Sequence, residues 1–233
     1  MNRFVPIIQL LLILMLCCFG GCTMYSKNAE GLRYFGQQRY AEAMTAFTAA
    51  QNTDPTNPDV YYNIAATYHQ SGKVSLQQGQ TAVAQQQYES AIQNYKLCLA
   101  KNPNHTAAYR GLATLYMECQ NADAAFQTLI DWQNVNPVSP EPKIELARLY
   151  QEFAQICLVQ RRDDVAKECQ DAAVKLLQSA AVTDPANYRV LRALGYLKEQ
   201  NGDIAGAAAD YQRSLQSNPN QKDLSDRLAA LQR

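Results

Sequence analysis

An excess of charge of either sign is what this chain most plainly lacks: 21 Lys and Arg stand against 21 Asp and Glu in 233 residues. A balanced chain with no basic block has nothing to neutralise a phosphate backbone, so nucleic-acid binding is excluded as a function class. Histidine is scarce at two residues, and none of the seven cysteines falls in a C-x-x-C pair, so no metal ligand set is expected. Neither G-x-x-x-x-G-K nor G-x-G-x-x-G occurs, which removes the usual phosphate-cradling loops and with them any implied cofactor. No Ser, His and carboxylate arrangement reads as a catalytic triad, and the chain is expected not to be an enzyme. Charged residues make up only 18% of the chain, below the roughly 25% usual for soluble domains. In their place are 33 Ala and 25 Gln, a quarter of all residues, both good helix formers. With 47% hydrophobic residues to bury, the composition predicts an all-helical protein with a substantial core.

Residues 1–21 read as an address. Arg3 supplies a positive start, an apolar stretch follows, and Gly20 and Gly21 are small residues before a cut. From Ile7 to Phe19 is 13 residues, too short for the roughly 20 of a spanning helix, so a secretory signal peptide is the stronger reading. Gly20-Gly21-Cys22 resembles the lipobox of bacterial lipoproteins, with Phe19 standing where that family usually has an aliphatic residue. The resemblance implies cleavage before Cys22 and acylation of that residue; ordinary signal cleavage or an uncleaved anchor is the alternative. Two or three acyl chains, at about 0.8 kcal/mol per buried methylene, hold a protein on a bilayer without spanning it. Thr23 stands where lipoproteins retained at the inner membrane commonly have Asp, so the resemblance points to the outer membrane, facing the periplasm.

The prolines set the architecture of the remainder, 22–233. Pro55, Pro103, Pro137, Pro185 and Pro219 are separated by 48, 34, 48 and 34 residues, an 82-residue super-period that occurs twice. A fixed period of about 34 residues marks a helical repeat array. Between the prolines recur a small-then-aromatic first half, as in Leu112, Ala113 and Tyr116, and a second half such as Ala207, Tyr211, Leu215 and Pro219. These residues resemble the tetratricopeptide repeat, and the resemblance implies an α-solenoid of helix-turn-helix units at 24–57, 58–105, 106–139, 140–187 and 188–221. Small residues such as Ala43, Ala91, Ala125, Ala173 and Ala207 let paired helices approach, and the aromatic beside each fills the gap. Leu224, Leu228 and Leu231 at i, i+4 and i+7 predict a C-terminal capping helix over 222–233. Trp132 stands where the family has Ala; packing or ligand stacking would each account for it.

Two units exceed 34 residues by 14 each, the surplus lying around Gln77–Gln80 and Gln160–Asp163. Shared between two helices, that surplus adds about two turns, or roughly 10 Å, to each hairpin. Thr81 and Asp163 are the expected N-caps of the second helices. Val74, Leu76 and Val83 match Ile156, Leu158 and Val165 and are expected to zip the extensions together, leaving a notch between two fins as a docking feature or a mere by-product of duplication. Cys157 and Cys169 lie six residues either side of Asp163, where a disulfide can bridge the hairpin if they are not simply small buried thiols.

Tetratricopeptide arrays hold an extended peptide or a partner's helix against their first helices. Carried over position by position, the resemblance places Tyr62, His69, Arg110, Met117, Arg148, Gln151, Arg189, Arg192 and Tyr196 in that groove. Arg110, Arg148, Arg189 and Arg192 make its later part basic, so an acidic peptide or a C-terminal carboxylate is the favoured ligand, unless the arginines only solvate a helix face. The family's carboxylate clamp is not met, since Leu32 and Gly111 occupy two of its places and only Asn63 fits. The expected function is thus a membrane-anchored adaptor that binds a protein of the bacterial envelope, similar in layout to family lipoproteins that help assemble pili, secretins or outer-membrane barrels. The alternative is an accessory to cell-wall or polysaccharide export machinery that binds glycan as well as protein.

Overall fold

Residues 27–231 are described by a computed structural model. The signal segment 1–21 and the lipidation site Cys22 lie outside the described residues. Within them the protein is all-helical, with eleven helices. They are α1 (27–36), α2 (Tyr40–Thr53), α3 (Pro58–Gln77), α4 (Thr81–Lys101), α5 (Thr106–Glu118), α6 (Ala122–Val135), α7 (Glu141–Val159), α8 (Asp163–Thr183), α9 (Tyr188–Gln200), α10 (Ile204–Ser217) and α11 (Lys222–Leu231). The chain divides into two compact units, the first ending at Asn121 and the second beginning at Ala122.

Two local devices alternate along the chain. The odd-numbered helices α1 to α9 each end in a left-handed residue: Gln38, Gly79, Gln120, Arg161 and Gly202 all have φ between 58° and 80°. Each is part of a Schellman motif, as where Gly202 N–H donates to the Glu199 carbonyl at 3.0 Å and Asp203 N–H to Lys198 at 2.8 Å. These five turn centres recur every 41 residues, half the super-period. That constancy requires each long unit to divide its surplus equally between its two helices. Accordingly α3 and α4 have 20 and 21 residues and α7 and α8 have 19 and 21, whereas α9 and α10 have 13 and 14.

The even-numbered helices α2 to α10 stop at an Asp or Asn followed by proline. Asp54, Asn102, Asn136, Asp184 and Asn218 each donate a backbone N–H to the carbonyl four residues back, and the next residue has no N–H with which to continue. After Pro55, Pro103, Pro185 and Pro219 the residue two positions on directly precedes the next helix, whereas α7 begins four positions past Pro137. Asn57 and Asn187 accept from backbone N–H groups at the start of α3 and α9, and His105 Nδ1 accepts from Ala108 N–H at 3.1 Å.

In the first unit, Ala43, Phe47 and Ala50 of α2 pack on Val60 and Ile64 of α3, and a second cluster joins Tyr61 and Ala65 of α3, Ala91, Tyr95 and Cys98 of α4 and Leu112 of α5. In the second, Ala173, Leu177 and Ala180 of α8 pack between Ala147 of α7 and Val190 and Leu194 of α9. Leu224 of α11 is buried on Ala207 and Tyr211, with Leu228 and Leu231 packed alongside. Close approach is enforced at the glycines: a Cβ on Gly195 would lie 2.5 Å from the Tyr211 ring, and one on Gly31 would lie 2.4 Å from Phe47. Trp132 is buried on α6, so its ring packs and offers no stacking surface.

Two expectations for the long hairpins are corrected. Thr81 and Asp163 are the first helical residues, and Gln80 and Arg162 occupy the N-cap positions without a side-chain cap bond. The cap position directly follows the left-handed turn residue, and there Asp203 accepts from Gly206 N–H at 2.9 Å, whereas Gln80 and Arg162 make no such bond. Val74, Leu76, Val83, Ile156 and Leu158 do not zip the extensions; all are exposed. Small and polar residues face inward instead, with Ser75 Oγ donating to Gln87 Oε1 at 2.8 Å in the first hairpin and Ala154, Cys157, Ala166 and Cys169 clustered in the second. Cys157 and Cys169 are both buried free thiols within that second cluster.

The turn chemistry makes a signed prediction. A Cβ on Gly202 would meet nothing within 4 Å, so Gly202→Ala bears only the left-handed backbone cost and destabilises by about 1 kcal/mol. Arg161→Gly, at the matching position of the second long hairpin, is stabilising by roughly 0.5 to 1 kcal/mol. Denaturant midpoints at unchanged m-value measure both.

Candidate functional site

In the second unit, helical spacing brings the sequence-predicted residues together. Arg148 and Gln151 are i, i+3 on α7, and Arg189, Arg192 and Tyr196 are i, i+3, i+7 on α9, so each set shares one face. All five line one hollow of about 680 Å³. Its floor is apolar, formed by Ile144, Ala147, Leu177, Ala193 and Leu224, while Asp223 and Arg227 of α11 complete the wall.

The arginines do not stand as a bare basic patch. Arg148 Nε donates to Glu145 Oε2 at 3.0 Å and its Nη1 to Glu152. Arg189 pairs with Glu141 and lies 3.8 Å from Glu145, and Arg192 pairs with Asp223. Arg227 forks onto Glu199 at 2.6 and 2.8 Å and lies 5.2 Å above the Tyr196 ring. Every arginine of this hollow therefore has at least one carboxylate, which corrects the expected basic surface to a charge-balanced one. Burial works against the Arg148 charge, but Glu145 and Glu152 outweigh it and raise its pKa above the ordinary guanidinium value.

Sequence reasoning named Arg148, Arg189 and Arg192 without their carboxylate partners, and it missed Glu145, Asp223 and Arg227. The Glu145–Arg148–Glu152 spacing of three and four along α7 could have signalled the first. Nothing local could signal Asp223 and Arg227, which the sequence shows only as the polar face of a closing helix.

The first unit holds a separate hollow of about 660 Å³, lined by Tyr62, His69 and Arg110 among Leu32, Phe35, Ala66 and Tyr95. Met117 is not among its lining residues. His69 is only 5% exposed, edge-on to Tyr88 and Tyr95, with Nε2 2.8 Å from Glu118 Oε2. Lys73 donates to the other Glu118 oxygen at 3.0 Å. Burial opposes the Glu118 charge, yet the bonds from His69 and Lys73 hold its carboxyl below the usual range. His69 thus ties α3 to α5 more than it lines a surface. Asn63 is likewise engaged, its amide donating to Asn28 Oδ1 at 2.9 Å. His105, which caps α5, also lies 3.1 Å from Asp59 and stacks at 5.0 Å on Tyr62. No group of three or more His, Cys, Asp or Glu suited to hold a metal ion occurs among the described residues.

Comparisons with known proteins agree with this helix-turn-helix packing. Family profiles described as tetratricopeptide repeat match residues 82–149 and 171–222, and one described as TPR repeat matches 31–72. The chain is a tetratricopeptide-repeat protein. That family is one of protein-interaction scaffolds, typically without enzymatic activity. Among solved structures, a thermophilic TPR protein of Thermus thermophilus is 21% identical over 89% of this chain and 98% of its own, with a TM-score of 0.55. The MamA protein is 16% identical over 87% of this chain and 96% of its own, with a TM-score of 0.50. Pseudomonas aeruginosa pilF is 15% identical over 91% of this chain and 85% of its own, also at 0.50. At these identities the likeness is one of fold.

The Glu199 cluster sets an acid sensitivity. The Arg227 fork, with the Tyr211 hydroxyl donating at 2.7 Å, holds the Glu199 carboxyl below its ordinary range. A folded pKa below the unfolded one stabilises the protein above the unfolded value, and that contribution is lost as pH falls through the folded value. Glu199→Gln is therefore less stable than the parent at neutral pH, and its unfolding free energy falls less steeply on acidification below the usual carboxylate range. Urea titrations at stepped pH measure the two slopes; parallel curves contradict the assignment.

Proposed function

We propose that this protein is a lipid-anchored interaction scaffold of the bacterial envelope, and that the hollow formed by α7, α9 and α11 is where its partner docks. The observation that carries the reading is the convergence of Arg148, Gln151, Arg189, Arg192 and Tyr196 on one apolar-floored hollow. The ligand class is a segment with an apolar anchor beside an acidic group or C-terminal carboxylate. Such a group enters by exchange: Arg192 and Asp223 are 46% and 65% exposed, and a surface pair of that kind is worth at most about 1 kcal/mol, so an incoming carboxylate can replace Asp223. Arg189, held by Glu141 and by the nearly buried Glu145, stays in place as a fixed donor.

The address comes from the sequence: Arg3, the apolar run and Gly20-Gly21-Cys22 support export and acylation, and Thr23 supports the outer membrane facing the periplasm. Among the described residues no helix is long and apolar enough to cross a membrane; acyl chains on Cys22 would supply the attachment.

Two measurements test the reading. A photo-crosslinking residue at Gln151, which breaks none of the ion pairs, should capture one envelope polypeptide through an acidic or C-terminal segment in living cells. The same residue at Val182, 83% exposed on α8, should not. Arg192→Ala should weaken the Gln151 adduct several-fold. Equal capture from both positions removes the hollow as the docking site, and a glycan adduct favours the export-machinery alternative. For the anchor, Cys22→Ala should move the protein from the membrane fraction to the soluble periplasm.

A further inference from the structure

The tip of the second long hairpin carries a pair of groups that the scaffold reading does not use. Cys157, two residues from the end of α7, and Cys169, in the second turn of α8, are buried free thiols in one cluster with Ala154 and Ala166. Four small side chains at one level let the two helix backbones come close. The first long hairpin shows which positions face one another there. Its turn residue Gly79 and the second hairpin's Arg161 are 82 residues apart, as are Ser75 and Cys157, and Gln87 and Cys169. Ser75 and Gln87 are hydrogen-bonded across their hairpin at 2.8 Å. Cys157 and Cys169 therefore occupy positions that face each other across the hairpin, and both lie in the same buried cluster. The Cys169 thiol is pushed up first by burial and then by the Cys157 thiol.

We propose that Cys157 and Cys169 form an intramolecular disulfide that staples α7 to α8 in the oxidised protein. The oxidant is another disulfide, either a small molecule such as oxidised glutathione or an oxidised thiol oxidoreductase. Cys169, the less buried of the two, loses its proton and attacks the oxidant, breaking that S–S bond, forming a mixed disulfide and releasing one thiol. Cys157 then loses its proton and attacks the Cys169 sulfur, and the second thiol of the oxidant departs. Two protein thiols are oxidised and one disulfide is reduced to two thiols. Burial of both sulfurs confines the reaction to folding or to opening of the hairpin tip, and it slows reduction once the tip has closed. The geometry holds in any compartment, and an exported chain would meet the oxidant.

The test uses the full chain, refolded in a glutathione redox buffer, alkylated under denaturing conditions and digested with trypsin. Cleavage at Arg161, Arg162 and Lys167 separates the two cysteines into peptides 149–161 and 168–175, each with one cysteine. The expected product is those peptides joined and lighter by two hydrogen atoms, with a melting temperature that reductant lowers by roughly 5 °C or more. Cys157→Ser with Cys169→Gln writes the first hairpin's pair into the second and should abolish the response to reductant. Recovery of both cysteines alkylated from oxidised, fully helical protein overturns the proposal. So does a bridge from either one to Cys119 or a lasting adduct with glutathione. Neither result touches the docking hollow, whose cross-linking depends on other residues.

Discussion

Everything in this structure depends on how closely two antiparallel helices approach at small residues. Where Gly195 lies beneath Tyr211 and Gly31 beneath Phe47, there is no room for a Cβ, and the aromatic ring of the second helix fills the space that the missing side chain leaves. That contact sets the separation of each hairpin. The separation in turn sets which residues of the odd-numbered helices face the hollows. Ala43, Ala91, Ala173 and Ala207, all fully buried, repeat the same contact from the other helix.

The close contact is indifferent to hairpin length, provided that both helices grow together. Fourteen additional residues in each of two units, split equally, add about two full turns to each helix and give the even 41-residue spacing of the turn centres, so the Schellman closure and the Asx-Pro stop keep their places relative to the packed faces. What the extension cannot inherit is the core. Beyond the repeat, the hairpin tips have no neighbour to bury an aliphatic face, and Leu76, Val83, Ile156 and Leu158 stay exposed while smaller residues take the inward positions. Each tip then has its own chemistry on the same backbone: a Ser–Gln hydrogen bond in one, two thiols in the other.

The hollow of the second unit follows from the same geometry with charge added. Its arginines are held by carboxylates from their own helix and from neighbouring ones, so the surface is preorganised yet close to neutral. In the docking proposed for this hollow, a partner's carboxylate replaces an existing one, and the exposed Arg192–Asp223 pair yields more readily than the Arg189 pairs beside Glu145. The closing helix α11 is thus part of the hollow as well as a cover, because it supplies both Asp223 and the Arg227 that stacks on Tyr196.

The sequence by itself determined what depends on short-range regularity. The Asx-Pro stops, the small-aromatic pairs, the faces of α7 and α9 and the leucines of α11 are all readable because helix periodicity and proline geometry act within a few residues. Which charges neutralise which was decided only by the tertiary structure. Arg189 finds Glu141 and His69 finds Glu118 across 48 and 49 residues, and Arg192 finds Asp223 across 31. Those meetings depend on the distance and rotation between helices, to a fraction of a helical turn. A repeat pattern specifies the packed face of a helix that tightly, but it leaves the identity of the polar neighbour on the next helix open. For the same reason the outward turn of Leu76, Val83, Ile156 and Leu158, expected to zip the hairpins, was visible only once the two helices were set against each other.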